Sequence, residues 1–134
     1  MTGEGRRAAV HEELAASEEE IAAAERLLES DLARVALTRV YFALFHAVRA
    51  LLYAHGHEPR SHAGARTLFG RHFVKEGAFT PADGRLLTRL QRQREKADYA
   101  SESEDVTVEN VERELEPARA LIQRIRLGIE EALS

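Results

Sequence analysis

Thr38-Arg39-Val40-Tyr41-Phe42-Ala43-Leu44-Phe45-His46-Ala47-Val48-Arg49-Ala50-Leu51-Leu52 is the stretch that decides the fold of this chain. It is apolar enough to be buried, yet it carries an arginine and a histidine seven residues apart. On a helix, at about 100° per residue, Arg39 and His46 point within about 20° of each other. Leu37, Tyr41, Leu44, Val48 and Leu51 recur at 4-3-4-3 spacing on the opposite side, the ordinary core stripe. The side that carries Arg39 and His46 adds Val35, Phe42 and Tyr53. Such a helix needs a second partner, which is another helix, another subunit or an anionic ligand.

Outward from this helix the periodicity stays helical. Residues 8–29 place Val10, Leu14, Ser17, Ile21, Ala24 and Leu28 at 4-3-4-3-4 spacing among glutamates, an amphipathic helix. Ser30-Asp31 offers a cap for the second helix, predicted over residues 31–55, and Gly56 offers its stop. A short third helix is predicted from Ser61 to the stop at Gly77, through Ala65, Leu68, Phe69, His72 and Phe73. Thr80-Pro81 opens a fourth, running to about residue 100 with Leu86, Leu87, Leu90 and Ala97 as its apolar edge. The acidic Ser101-Glu102-Ser103-Glu104-Asp105 run reads as a solvated turn. The last helix carries Val108, Val111, Leu115, Ala118, Ile122, Ile125, Ile129 and Ala132 in register, with a kink expected at Pro117. The expected fold is all-α, an up-down antiparallel helical bundle of four long helices plus one short one, in a single domain over residues 1–134.

Composition narrows the function. The chain has no cysteine, which excludes a disulfide scaffold and thiolate metal sites. No apolar run reads as long enough for a membrane span, and the N-terminus is acidic, so the expectation is a soluble cytoplasmic protein without membrane contact. Charge is uneven: residues 1–32 carry nine acids and three bases, residues 33–100 five acids and twelve bases, and residues 101–134 nine acids and four bases. A basic middle between acidic ends either presents an anion-binding surface or pairs with those ends inside the bundle.

Three ordered segments carry a family resemblance: TRVYFALFHAVRALLYAHGHEP from residue 38, SHAGARTLFGRHFVKEG from residue 61, and RQREKADY from residue 92. Together they resemble the HEPN superfamily, in particular its short stand-alone proteins often encoded beside a minimal nucleotidyltransferase. The resemblance implies a bundle that usually dimerises and a role in toxin-antitoxin or defence modules. Many members are metal-independent ribonucleases, with an arginine and a histidine four to six residues further on supplied by two protomers to one cleft. Here Arg94-Glu95-Lys96-Ala97-Asp98-Tyr99 occupies the place of that motif, and Tyr99 stands where the histidine belongs. A tyrosine with an ordinary pKa of about 10 is a poor base at neutral pH, although it still donates a hydrogen bond or stacks on a nucleobase.

Candidate site residues follow from the residues and the resemblance together. Arg39 and Arg94 are expected to converge as phosphate holders, with Asp98, four residues after Arg94, orienting it or simply forming an intrahelical ion pair. Arg85, Arg89, Arg92, Lys96 and Tyr99 form a basic stripe ending in an aromatic, suited to RNA or to solvent alone. If the protein is an enzyme, His46 with Arg94 or Arg39 is the catalytic pair of a metal-independent endoribonuclease. His55, His57 and His62 flank a loop with Glu58 but have no ligand-like spacing, and His72 reads as a core-edge residue, so no metal and no cofactor is expected. The expectation is a nucleotide- or RNA-binding module that forms a homodimer and works with a nucleotidyltransferase antitoxin. A ribonuclease toxin and a noncatalytic structural homodimer are the alternatives.

Overall fold

The computed structural model describes residues 1–99 and 106–134, so the expected turn at residues 101–105 lies outside the described residues. Five α-helices follow in order: α1 (Gly3–Glu29), α2 (Ala33–Ala54), α3 (His62–Phe69), α4 (Pro81–Tyr99) and α5 (Val108–Leu133), with a π-helical turn, Gly70–Val74, continuing α3. No strand occurs among the described residues. The four long helices alternate in direction. Glu13, Ser17 and Glu20 of α1 bond His46, Ala43 and Arg39 of α2, a ladder that descends along one helix as it climbs the other. Arg89 with Glu114 and Asp83 with Arg124 show the same antiparallel relation between α4 and α5.

α2 is the axis of the molecule. It packs against α1, α3, α4 and α5, and fourteen of its residues are buried. Six of these are alanines (Ala33, Ala36, Ala43, Ala47, Ala50, Ala54), which lets neighbouring helices come close. Leu44, Phe45, Leu51 and Leu52 fill the spaces between them, each contributing about 1.5–3 kcal/mol by burial. Its length and composition do match those of a membrane span, contrary to the expectation from its sequence. The explanation lies in its surroundings: a helix enclosed on most sides by other helices must itself be apolar. Only Thr38, Arg39, Phe42, His46, Arg49 and Tyr53 remain half-buried on α2.

Some boundaries differ from expectation for local reasons. Ser30-Asp31 does not cap α2. It closes α1, with Asp31 in the left-handed region at φ 59°, and Asp31 and Leu32 donate back to the carbonyls of Leu28 and Leu27. Leu32 precedes α2 with no side-chain cap. Gly56, at φ 85°, ends α2 by the same motif, with Gly56 and His57 donating to Tyr53 and Leu52. The third helix leaves α geometry at Gly70, where Lys75 donates to the Gly70 carbonyl five residues back. α5 is continuous through Pro117.

The short helix α3 departs from strict alternation. His62 at its start lies against Tyr41 and Phe45 in the middle of α2, whereas Phe73 further on lies against His55 at the end of α2. The segment around Glu58-Pro59 therefore travels back along α2, and α3 runs in the same direction as α2. Proline supports this return, because it favours extended backbone in the residue before it. This detour brings α3 to the half-buried stripe of α2.

Candidate functional site

Phe42 is the centre around which the candidate site is arranged. The Arg39 guanidinium lies 5.3 Å from its ring centroid and that of Arg94 5.2 Å. The imidazoles of His46 and His62 lie 6.3 Å and 5.8 Å from the same ring. Arg94 also covers Tyr41 at 5.1 Å. Cationic side chains of α2 and α4 thus meet on one half-buried aromatic, with a histidine from α3 beside them. Each guanidinium gains from the negative face of the ring, by about 0.5–2 kcal/mol depending on how dry the contact is.

The cations differ in how they are neutralised. Arg39 donates to Glu20 Oε1, at 3.1 Å. Glu13 accepts from His46 at 2.7 Å and from Arg49 at 2.8 Å. Burial alone would raise the Glu13 pKa, but the hydrogen bonds from His46 and Arg49 outweigh it and hold the carboxyl below its ordinary range. The acidic first helix thus supplies counter-charges to α2, and part of the charge asymmetry in the sequence is internal pairing. Arg94 is different. Among the described residues it has no carboxylate in ion-pair range, and its Nε is buried without an acceptor. A half-buried guanidinium with no counter-charge is suited to a phosphate or carboxylate from outside.

His62 is the residue that sequence reasoning missed, because its position depends on the return of the loop along α2. Its ring stacks on Phe45 at 3.9 Å with an interplanar angle of 8°, and its Nδ1 shares a hydrogen bond of 2.9 Å with the Tyr41 hydroxyl. Burial, then the positive charges of Arg94, Arg49 and Arg66, push the His62 pKa below its ordinary value. Burial raises the Tyr41 pKa, against the pull of Arg66 and Arg94. A neutral imidazole and a protonated phenol therefore face each other beside an unneutralised arginine. In an NMR titration the His62 ring signals are expected to move at a pH below about 6.5, and Arg94→Ala is expected to raise that midpoint. Because the unfolded chain binds the proton first as pH falls, this histidine lowers stability on acidification through that range. A midpoint at or above the ordinary value would contradict the arrangement.

The other expected site residues lie further out. Asp98 is exposed and forms no ion pair with Arg94 among the described residues, so the expected pairing of the two is not seen. Tyr99 is 90 % exposed at the end of α4, and Arg92 and Lys96 are exposed as well. Arg89 leaves the basic stripe for a two-pronged bond to Glu114, at 2.7 Å and 2.9 Å. The loop histidines separate: His55 meets Phe73, His57 stacks on His72 at 4.3 Å, and His62 joins Tyr41. No cluster of three metal-binding side chains occurs among the described residues.

A helical bundle whose buried central helix presents cations and aromatics beside an arginine of the fourth helix defines the class of protein. Residues 10–128 match the HEPN domain, and the chain belongs to that family. It is 37% identical over 117 residues to a Methanocaldococcus jannaschii protein named "Putative toxin MJ0605", covering 87% of this chain and 86% of that one. A Thermotoga maritima UPF0332 protein is 33% identical over 108 residues, covering 81% of each chain. A second Methanocaldococcus jannaschii protein, "Putative toxin MJ0142", is 28% identical over 100 residues, covering 75% of this chain and 65% of that one.

Proposed function

We propose that this HEPN domain is a toxin-type module that engages RNA or a nucleotide, with Arg94 as the principal phosphate holder and Arg39 at the other side of Phe42. The observation that carries this reading is the contrast between Arg94 and its neighbours. Arg39, His46 and Arg49 each have a carboxylate from α1, whereas Arg94, over two aromatic rings, has none in ion-pair range among the described residues. Relatives that carry the name of toxins agree with it. In this reading a bound strand leaves the cleft over the exposed side of α4, past Arg92, Lys96, Asp98 and Tyr99. The protein acts in the cytoplasm as a homodimer, and a nucleotidyltransferase antitoxin restrains it.

Arg94→Ala tests the reading. It is expected to weaken binding of single-stranded RNA by at least about tenfold, the loss of one charge-assisted hydrogen bond to phosphate, while the fold is kept with a melting temperature lower by several degrees as its ring contacts are lost. Arg94→Lys is expected to recover only part, since the ammonium keeps the charge but loses the planar fork. Unchanged RNA affinity in Arg94→Ala would remove the basis of the proposal.

The position of His62 favours a second reading, a metal-independent ribonuclease. With its Nδ1–H donated to the Tyr41 oxygen, His62 has Nε2 free to take the proton of a ribose 2′-hydroxyl as that oxygen attacks phosphorus. The bond to the leaving 5′-oxygen breaks, and that oxygen takes a proton from water. His46, held by Glu13 on the other side of Phe42, is the alternative base. RNA cleavage in the presence of a chelator, lost in both Arg94→Ala and His62→Gln, would establish this reading over simple binding.

A further inference from the structure

The hydrogen bond between Tyr41 and His62 is compatible with two arrangements of protons. Above its lowered pKa His62 is neutral, so one ring nitrogen donates and the other accepts. In one arrangement Nδ1–H donates to the phenol oxygen and Nε2 is a bare base, as cleavage by His62 requires. In the other the phenol donates to Nδ1, and the imidazole proton sits on Nε2. The two differ in what His62 offers to the cleft, a base or a donor.

The surroundings of the Tyr41 hydroxyl distinguish them. Tyr41 is sealed from solvent, at 0% exposure, so the hydrogen bonds of its hydroxyl must come from the protein. A phenol has one hydrogen to give and lone pairs to receive. Arg66 already donates to this oxygen, and Arg94 lies over the ring. Both guanidiniums carry donors only. The Glu95 carboxylate acts on Tyr41 through its charge alone and takes its hydrogen bond from Gln91. The hydroxyl is thus supplied with donors, and what it lacks is an acceptor for its own hydrogen. Among the described residues His62 Nδ1, at 2.9 Å, is the one acceptor within reach. A proton on Nδ1 would leave the phenol hydrogen buried and unpaired, a costly state. The positive charges of Arg66 and Arg94 favour release of the phenolic proton, which strengthens the hydroxyl as a donor.

The second ring nitrogen of His62, Nε2, bonds no protein group among the described residues and is not sealed from solvent. We propose that Tyr41 is a positioning residue that fixes His62 as the Nε2–H tautomer, so that His62 gives the Phe42 cleft a neutral hydrogen-bond donor beside the Arg94 guanidinium and is not a base there. The tautomer follows from the protein's own groups, whereas the ligand role rests on the Phe42 reading. It assigns His62 to holding an anionic oxygen and counts against His62 as the base of the cleavage reading.

Long-range ¹H–¹⁵N correlation spectra of the full chain, labelled in its histidines, read the tautomer directly at about pH 7.5, where His62 is neutral. The signals absent from His62→Gln are those of His62. Nδ1 is expected to show the shift of an unprotonated nitrogen and Nε2 that of a protonated one. Tyr41→Phe removes only the hydroxyl and is expected to let the two forms interchange, moving both signals toward intermediate positions. A protonated Nδ1 in the wild type overturns the proposal, as do signals that Tyr41→Phe leaves in place.

His62→Gln and His62→Leu test the ligand role. Both lose the stack on Phe45, but glutamine keeps an N–H without a base, and leucine keeps neither. Titrated with a short oligouridylate, His62→Leu is expected to bind at least about fivefold more weakly than His62→Gln. Equal affinity of the two refutes the donor role. Chelator-resistant RNA cleavage that is lost in His62→Gln makes His62 a base and refutes it as well. Undiminished RNA binding in Arg94→Ala removes the Phe42 reading and the ligand role with it, while the spectra still decide the tautomer.

Discussion

Glu13→Ala is expected to lower the stability of the fold by about 3 kcal/mol, because one carboxylate serves two half-buried partners. Glu13 keeps 13% of its side-chain exposure, His46 21% and Arg49 29%. Removing the acid leaves the Arg49 guanidinium on the Phe45 ring, 5.0 Å from its centroid, with no counter-charge. Its Nε is already buried without a partner. Water reaches the pair in part, so the cost falls short of that for a fully enclosed ion pair. For a chain of this size the loss corresponds to a fall in melting temperature of about 10 °C. The double variant Glu13→Ala/Arg49→Met is expected to recover part of it, since no orphaned guanidinium remains. A single variant within about 0.5 kcal/mol of wild type would show that solvent, not Glu13, satisfies this cluster.

Asp83→Ala is expected to cost about 2–3 kcal/mol through two losses at once. Asp83 and Thr80 form a reciprocal cap at the start of α4, with Thr80 N–H donating to the carboxylate at 2.9 Å and Asp83 N–H donating to the threonine hydroxyl at 3.2 Å. The same carboxylate takes both Nη groups of Arg124, at 2.7 Å and 2.8 Å, and so ties α4 to α5. Asp83→Asn keeps an acceptor for the cap and loses the charge, so it is expected to fall between wild type and alanine in urea unfolding. If asparagine and alanine are equally destabilising, the cap contributes nothing.

These two acids also set the response to pH. The Arg124 guanidinium holds Asp83 below the usual carboxylate range, against burial, and Glu13 is likewise lowered. A carboxyl with a depressed folded pKa contributes its full stability above its unfolded value, about 3.9 for Asp and 4.3 for Glu. The contribution disappears as pH falls through the folded value. Wild type is therefore expected to lose stability steeply below about pH 4, and each alanine variant less steeply, in urea unfolding followed as a function of pH.

Much of the bundle was legible from periodicity. The apolar stripes of α1, α2, α4 and α5 are period patterns of single helices, and glycine at Gly56 and threonine at Thr107 mark ends by local backbone chemistry. The boundary at Ser30-Asp31 was less legible, because the same polar residues serve either to end one helix or to begin the next. For the site, pattern identified Arg39 and His46 as neighbours on a face, since that relation is intrahelical. It placed Asp98 beside Arg94 for the same reason, and there it misled: sharing a helix side does not decide which side chain is drawn to the rings of α2.

The chain's own order of residues determined that α2 is central, since no other segment is apolar on nearly every side and its burial needs helices all around. It also determined the excess of cations between two acidic helices. Only the tertiary structure decided which cations are neutralised. Glu13 and Glu20 reach α2 because α1 runs antiparallel beside it, and His62 reaches Phe45 because an extended loop carries the chain back along that axis. Pairings of this kind join residues far apart in the chain, and their energies depend on distance and burial, which no local periodicity encodes.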